Sequence, residues 1–282
     1  MSFPVFVSSM TGGTEKANTI NHNLARVCGE FGLGMGLGSC RQLLYDDKRL
    51  ADFDVRSFMP EQPLMINLGI AQIDELLSNG ETERIESLRE RLDADALIVH
   101  VNPLQEWLQP EGDVIARAPI DIIVDLLGQI DMPVIVKEVG QGFGKSSLER
   151  LLQLPLAAID LAGFGGTNFS KLELLRSDEQ RYESYKHFYA VGQDCHEMLA
   201  IINSYFEEHS NKIQCPRIIS SRGIKSFLDG YYLIMKSRMP SFYAQASAFL
   251  KNAMNYEDLR RYVKYQTEGL KMAYAFLKVK NQ

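Results

Sequence analysis

Eight short apolar runs recur along this chain, and each gives way to polar or glycine-rich residues. They fall at residues 4–10, 34–38, 63–69, 96–102, 133–139, 157–163, 217–223 and 241–247. Unbroken apolar runs of this length fit strands buried on both faces, as in a parallel sheet. The clearest are Leu64-Met-Ile-Asn67 and Pro133-Val-Ile-Val-Lys137; the run at 34–38 is weak, because its glycines would also suit a loop. Helical patterns lie between them, at residues 15–31, 81–92, 119–130, 145–154, 178–209, 226–236 and 256–278. In the first, Ile20, Leu24, Val27 and Phe31 recur at helix spacing; in the third, Pro119 suits a first helical position. Alternation of strand and helix predicts an α/β fold with a parallel sheet. Eight such units predict a single-domain (β/α)8 TIM barrel spanning residues 1–282, with its site at the C-terminal rim. Residues 178–210 form a helical insertion between strands six and seven, suited either to a lid or to an extended outer helix.

Length alone allows two domains of about 150 residues, but one such barrel commonly takes about 250. No low-complexity tract or Pro/Gly linker divides the 282 residues. A net charge of -6 argues against general binding to nucleic acid or to an anionic membrane, and leaves room for a local basic pocket. Cys28, Cys40, Cys195 and Cys215 form no CxxC pair and no zinc spacing. They read as isolated buried thiols of a cytoplasmic protein. No apolar run approaches the roughly 20 residues of a membrane span, and the N-terminal Met-Ser-Phe-Pro-Val-Phe-Val lacks the basic region of a signal peptide.

The strand ends carry the candidate chemistry. The fourth runs into His100-Val-Asn-Pro-Leu-Gln-Glu106, where imidazole, carboxamides and a carboxylate cluster. His100 and Asn102, two apart, are expected on one face, with Gln105 and Glu106 in the following loop. His100 alone would be a satisfied core histidine; the combination favours a site. Glu106 suits a magnesium ligand, because hard cations take carboxylate oxygen together with substrate phosphate. Glu111 and Asp113 read as solvated loop charges.

Elsewhere the signals are weaker singly. Ser8-Ser-Met-Thr-Gly-Gly-Thr14 suits a tight turn or a close backbone approach to a ligand. Arg41 could fork onto phosphate or form a surface ion pair. Asn67, after three apolar residues, needs partners. Lys137 needs an anion, from a cofactor or from a carboxylate such as Glu138. Asp160-Leu-Ala-Gly-Phe-Gly-Gly-Thr-Asn168 could bring amides to a planar ring or an anion. Ser221, Gly223, Lys225, Ala246 and Ser247 follow strands seven and eight, the usual phosphate site of this fold. No Gly-x-Ser-x-Gly, Walker or HExxH motif occurs.

Together these stretches resemble the type 2 isopentenyl diphosphate isomerases, a flavin-dependent family. The matching segments are Ser9-Met-Thr-Gly-Gly13, Met35-Gly-Leu-Gly-Ser-Cys-Arg41, Asn67-Leu-Gly69, His100–Glu106, Val134-Ile-Val-Lys-Glu-Val-Gly140 and Gly163-Phe-Gly-Gly-Thr-Asn-Phe169, in family order. The resemblance implies an FMN-binding barrel. Met10, Thr11, Gly12, Ser39, Asn67, Lys137 and Thr167 match flavin-contacting positions, and Gly223, Ala246 and Ser247 match the flavin-phosphate site. Ser39, Cys40, Arg41 and Gln105 match substrate contacts; His100, Asn102 and Gln105 match the catalytic pocket; Glu106 matches the magnesium carboxylate. The implied reaction interconverts isopentenyl and dimethylallyl diphosphate by an allylic proton shift. It uses reduced FMN and Mg2+, with NADPH as reductant, in a homo-oligomer. The implied partner is a small prenyl diphosphate.

The chain departs from the family pattern in three places. An N-terminal segment with an Arg-Lys pair and a histidine is expected in family members; here the first cation is Lys16, which predicts one missing diphosphate clamp. Arg222 stands where the first of two paired glycines is usual, and would either crowd the phosphate or add a charge to it. Ala162 and Ala244 replace residues commonly polar or glycine. Two further readings stay open: a non-catalytic or impaired FMN-binding relative, and an FMN oxidoreductase with net hydride transfer.

Overall fold

The structure, a computed structural model, describes residues 1–280 except Gly13, Pro110, Glu111, Asp113 and Val114. Gly13 of the first glycine turn and the loop charges Glu111 and Asp113 therefore lie outside the described residues. Eight parallel strands close into a barrel in sequence order. They are β1 (Val5–Val7), β2 (Gly34–Gly36), β3 (Leu64–Gly69), β4 (Ala96–Val101), β5 (Val134–Glu138), β6 (Ala158–Asp160), β7 (Ile218–Ser221) and β8 (Ser241–Gln245). β8 closes on β1 through Val5 opposite Tyr243 and Val7 opposite Gln245. The fold is the single (β/α)8 barrel that the alternating pattern predicts.

The helices are α1 (Ala17–Phe31), α2 (Ile70–Asn79), α3 (Glu83–Arg91), α4 (Pro103–Leu108), α5 (Pro119–Leu127), α6 (Lys145–Leu152), α7 (Phe169–Leu175), α8 (Glu179–Tyr185), α9 (Cys195–His209), α10 (Phe227–Lys236), α11 (Ser247–Leu250) and α12 (Tyr256–Phe276). The 178–210 insertion divides because two aspartates cap separate helices. Asp178 accepts from Arg181 N at the start of α8, and Asp194 accepts from His196 N and Glu197 N at the start of α9. Gln105 and Glu106 do not sit in a loop: they occupy α4, which Pro103 opens at its first turn. Among the described residues no helix is long and apolar enough to cross a membrane.

Two apolar layers follow from the two-residue period of a strand. One set of side chains, including Val7, Leu64, Val99, Val136 and Ile218, points outward into the large core shared with the helices. The other set, Phe6, Met65, Ile98, Ile135, Ala158, Ile219 and Ala244, fills the barrel itself. The glycines that made β2 ambiguous in sequence have a packing reason. A Cβ on Gly34 would lie 2.8 Å from the Phe6 ring, and one on Gly36 would lie 2.7 Å from Ile98 Cδ1. β2 therefore contributes backbone where its neighbours contribute large side chains.

Outer packing is equally tight at α10, where a Cβ on Gly230 would meet the buried Tyr243 ring at 2.3 Å. Gly230→Ala should lower stability by about 1–3 kcal/mol through overpacking. That is opposite in sign to the usual gain from replacing a helical glycine. Denaturant midpoints of the two proteins measure it.

Candidate active site

Six strands place a polar side chain at the rim two residues beyond an interior apolar one. Phe6 is followed by Ser8, Met65 by Asn67, Ile98 by His100, Ile135 by Lys137, Ala158 by Asp160 and Ile219 by Ser221. The strand period turns all six inward above the apolar plug. On β2 and β8 the same step reaches Gly38 and Ala246, which leaves room instead of a polar side chain.

The ring is cross-linked. Lys137 Nζ donates to Ser8 Oγ at 2.7 Å and pairs with Asp160 Oδ2 at 3.1 Å, with both charged side chains buried. Ser221 Oγ donates to the other Asp160 oxygen. The anion that Lys137 requires is thus Asp160. Glu138 has the opposite parity and is engaged elsewhere, accepting from the amides of Gly140, Gln141 and Gly142. Burial raises the Glu138 pKa, opposed by those amides and by the charge of Arg222.

His100 is held by a second link. Asn67 Nδ2 donates to Leu37 O at 3.1 Å, which turns Asn67 Oδ1 toward His100 Nδ1 at 2.8 Å. A carboxamide oxygen only accepts, so the imidazole proton sits on Nδ1 and Nε2 keeps its lone pair. Burial and then the nearby Lys137 charge push the His100 pKa down to about 4. The ring is a neutral acceptor at pH 7.

One cavity of about 660 Å³ opens above this ring. Of the flavin-contacting candidates, Met10, Ser39, Asn67, Lys137 and Thr167 line it. So do Gly223, Ala246 and Ser247 of the candidate phosphate site, together with His100 and Gln105. Lys137, Arg222, Lys225 and Lys251 also line it, and no carboxylate does among the described residues. A chain of net charge -6 therefore concentrates cations at one concave mouth.

The other candidates do not line the cavity. Thr11 Oγ1 donates to Asn21 Oδ1 of α1 at 2.7 Å. Gly12 packs on Phe53, whose ring would lie 2.4 Å from an added Cβ. The Cys40 thiol is fully buried, and that burial raises its pKa to about 12. Arg41 is exposed at the start of a 3-10 turn, Arg41–Leu44. Asn102 directly follows β4 as the residue before α4; it is buried and, unlike His100, does not line the cavity. Its Nδ2 donates to Glu106 Oε1 at 2.7 Å, while its buried Oδ1 has no partner.

Sequence reading gave no role to Asp160, Glu173 or Tyr262. Asp160 was findable by counting two residues on from inward Ala158. Glu173, nearly buried on α7, accepts from Gln105 Nε2 at 3.3 Å and Arg176 Nη1 at 2.6 Å. Tyr262 of α12 lines the cavity and donates to Gln245 Oε1 at 3.0 Å. Both come from distant helices and leave no local signal. Two non-glycine residues near the rim adopt left-handed backbone: Ala162 at φ 42° and Arg222 at φ 68°.

Comparison with known proteins places this geometry. The chain is 35% identical over 257 residues to the isopentenyl-diphosphate delta-isomerase of Rickettsia akari, covering 91% of this chain and 72% of that protein. It is 36% identical over 258 residues to the protein of the same name from Rickettsia africae, with the same coverage. The chain belongs to the isopentenyl-diphosphate delta-isomerase family. A Synechococcus family member is 44% identical over 170 residues, 60% of this chain and 48% of its own length. No family model matches the chain. Among solved structures, a mandelate oxidase mutant carrying a monooxide FMN adduct superposes with TM-score 0.58 at 11% identity, covering 96% of this chain and 74% of that one. The recombinant flavin-binding domain of baker's yeast flavocytochrome b2 superposes with TM-score 0.64 at 14% identity, covering 98% and 66%. These likenesses show the barrel fold.

The depressed His100 pKa has a stability consequence. Between about 4 and 6.5 the unfolded chain binds a proton that folded His100 does not. Stability should therefore fall as pH drops through that window, the stabilising contribution being complete above it. His100→Gln should flatten this part of the curve. Equal slopes of denaturant midpoint against pH in the two proteins would exclude a depressed His100.

Proposed function

We propose that this protein interconverts isopentenyl and dimethylallyl diphosphate by an allylic proton shift, using reduced FMN and Mg2+, with NADPH serving to reduce the flavin. Family membership supports the reaction. The observation that carries the site assignment is the single cavity above the polar ring, with cationic walls and the neutral pair His100 and Gln105.

The residues present fit a flavin mononucleotide. The cavity is of cofactor size. Gly165, Gly166 and Gly223 offer backbone without side-chain bulk, and Ser9, whose buried Oγ has no partner, also lines the wall. Lys137 is preset by Ser8 and Asp160, so its ammonium meets a ligand in a fixed position. Gly223, Lys225, Ala246 and Ser247 would hold the phosphate. Reduced FMN, when bound, supplies the group that gives and takes the substrate proton. Glu106 alone is a thin metal site, and no group of three ligating side chains occurs among the described residues. That fits magnesium, which needs one or two protein carboxylates when substrate phosphate completes its shell.

The chain's own residues then have separable duties. Lys137 and His100 hold the polar floor, His100 presenting an acceptor lone pair and no positive charge. Gln105, anchored through its amide nitrogen by Glu173, orients the alkene without offering a strong nucleophile. Asn102 grips Glu106 and keeps that carboxylate turned for the metal. Ser39, Cys40 and Arg41 form the substrate-side segment, with Arg41 taking diphosphate. The proposal also takes the four buried free thiols as those of a cytoplasmic protein, and the enzyme as a homo-oligomer.

The deciding experiment incubates the FMN-loaded, reduced protein with magnesium and isopentenyl diphosphate in deuterated water. Deuterium-labelled dimethylallyl diphosphate is the expected product. Sustained NADPH consumption with a separate acceptor would instead mean net hydride transfer, and bound FMN with neither outcome would mean a non-catalytic relative. Glu106→Gln should abolish magnesium-dependent turnover while the protein stays yellow; loss of colour would remove Glu106 from the metal role. Gln105→Leu should cost about 10²-fold in kcat, the scale of a misplaced orienting group, with FMN affinity unchanged. Unaltered turnover would count against its placement.

A further inference from the structure

Arg222 stands out on this rim. Its backbone occupies the left-handed region that favours glycine, and its side chain lines the cavity. From the sequence, it would either crowd a phosphate or add a charge to one. Its contacts point elsewhere. Nη2 donates to Thr167 O. The guanidinium lies 5.1 Å from the centroid of the Phe169 ring. A Cβ on Gly166 would lie 3.4 Å from Arg222 Cβ and Cγ, and one on Gly140 would come within 2.0 Å of Nη1. One side chain thus touches the segments that follow β5 and β6 while leaving from the end of β7. Glu138 and Asp160 add longer-range attraction.

The segment it crosses needs such a hold. Phe164 N is tied to Gln193 O, and Asn168 Nδ2 to Tyr189 O. Between those anchors come Gly165 and Gly166, the most permissive backbone available, and then Thr167. Gly165 nests directly on Gly223: an added Cβ would stand 2.6 Å from Gly223 Cα. The close approach sets the spacing of the two loops, and Arg222 supplies the polar and ring contacts that keep them together.

We infer that Arg222 is a positioning residue: it straps the Gly165–Phe169 segment to the end of β7 and so fixes the Thr167 wall of the cavity, without itself contacting phosphate. A planar fork suits this role better than an ammonium, because one face lies on a ring while an edge donates to a carbonyl. The strained backbone is then the counterpart of contacts that a glycine could not make.

The primary test uses the full chain without flavin. Hydrogen exchange at the amides of residues 165–168 should be about tenfold faster or more in Arg222→Gly, a local opening. The melting temperature should not fall, since glycine relieves the backbone. Phe169→Leu should accelerate the same amides, and the double variant should be no faster than Arg222→Gly alone. Unchanged exchange, additive acceleration in the double variant, or a melting temperature that falls with chain-wide exchange would overturn the inference. A second arm rests on the FMN reading. Dissociation constants for FMN and riboflavin, from flavin fluorescence quenching, should rise by one common factor in Arg222→Gly. A loss confined to FMN would make Arg222 a phosphate contact and sink the strap. If the unaltered protein binds neither flavin, the FMN reading fails, and the exchange arm still decides the role of Arg222.

Discussion

An ammonium and a carboxylate buried inside the barrel mouth constrain everything around them. Each ion taken out of water costs several kcal/mol even after relaxation, so neither Lys137 nor Asp160 could sit there alone. Their 3.1 Å contact meets most of that requirement, and Ser8 and Ser221 complete it with hydroxyl donors and acceptors. The four residues come from the ends of β1, β5, β6 and β7. Satisfying one buried pair therefore fixes the relative positions of half the strands at the rim. A pair of this kind is weak evidence for stability and better evidence for specification. Here it specifies where one positive charge stands beneath a cavity.

The parts legible in the sequence were those governed by short-range periodicity. Unbroken apolar runs gave eight strands, and helix spacing gave α1, α3, α5, α6, α10 and α12 to within a few residues. The helix α2 was not read because it starts at Ile70 directly after β3, with no turn between, and Gly69 serves as both strand end and cap. The short α4 and α7 look like loop sequence, being six and seven residues long and built on strand-end motifs. The rim was legible up to the strand period. Asn67, His100 and Lys137 point inward as counting by two requires. Asn102, just past the end of β4, bonds Glu106 of the following helix and does not line the cavity. Partners across the barrel were not legible, since nothing local in the sequence ties Asp160 to Lys137 or Glu173 to Gln105.

Backbone strain is unevenly distributed. A left-handed conformation at a non-glycine residue costs roughly 1–2 kcal/mol. Of the three such residues described, Ala162 and Arg222 lie just past the ends of β6 and β7. Gly165 and Gly223, also at positive φ, complete the pattern. Strain of this kind persists only where surrounding contacts over-determine the backbone, and it clusters at ligand-holding sites. These two loops also form the part of the cavity richest in glycine, where a ligand can approach the main chain directly.

On the proposed reading, the division of charge across the mouth has a chemical logic. Lys225 serves the flavin phosphate and Arg41 the substrate diphosphate. Between them, the groups nearest the reacting alkene have to be polar enough to orient it and too weak to capture a positive centre. A neutral imidazole and a carboxamide meet both demands. Neutrality of His100 is not incidental to the fold: burial disfavours its charged form most, Lys137, its register neighbour on β5, adds to that, and Asn67 holds the remaining proton on Nδ1. The same ammonium that needs Asp160 for its own burial thus reinforces what burial already imposes on the imidazole.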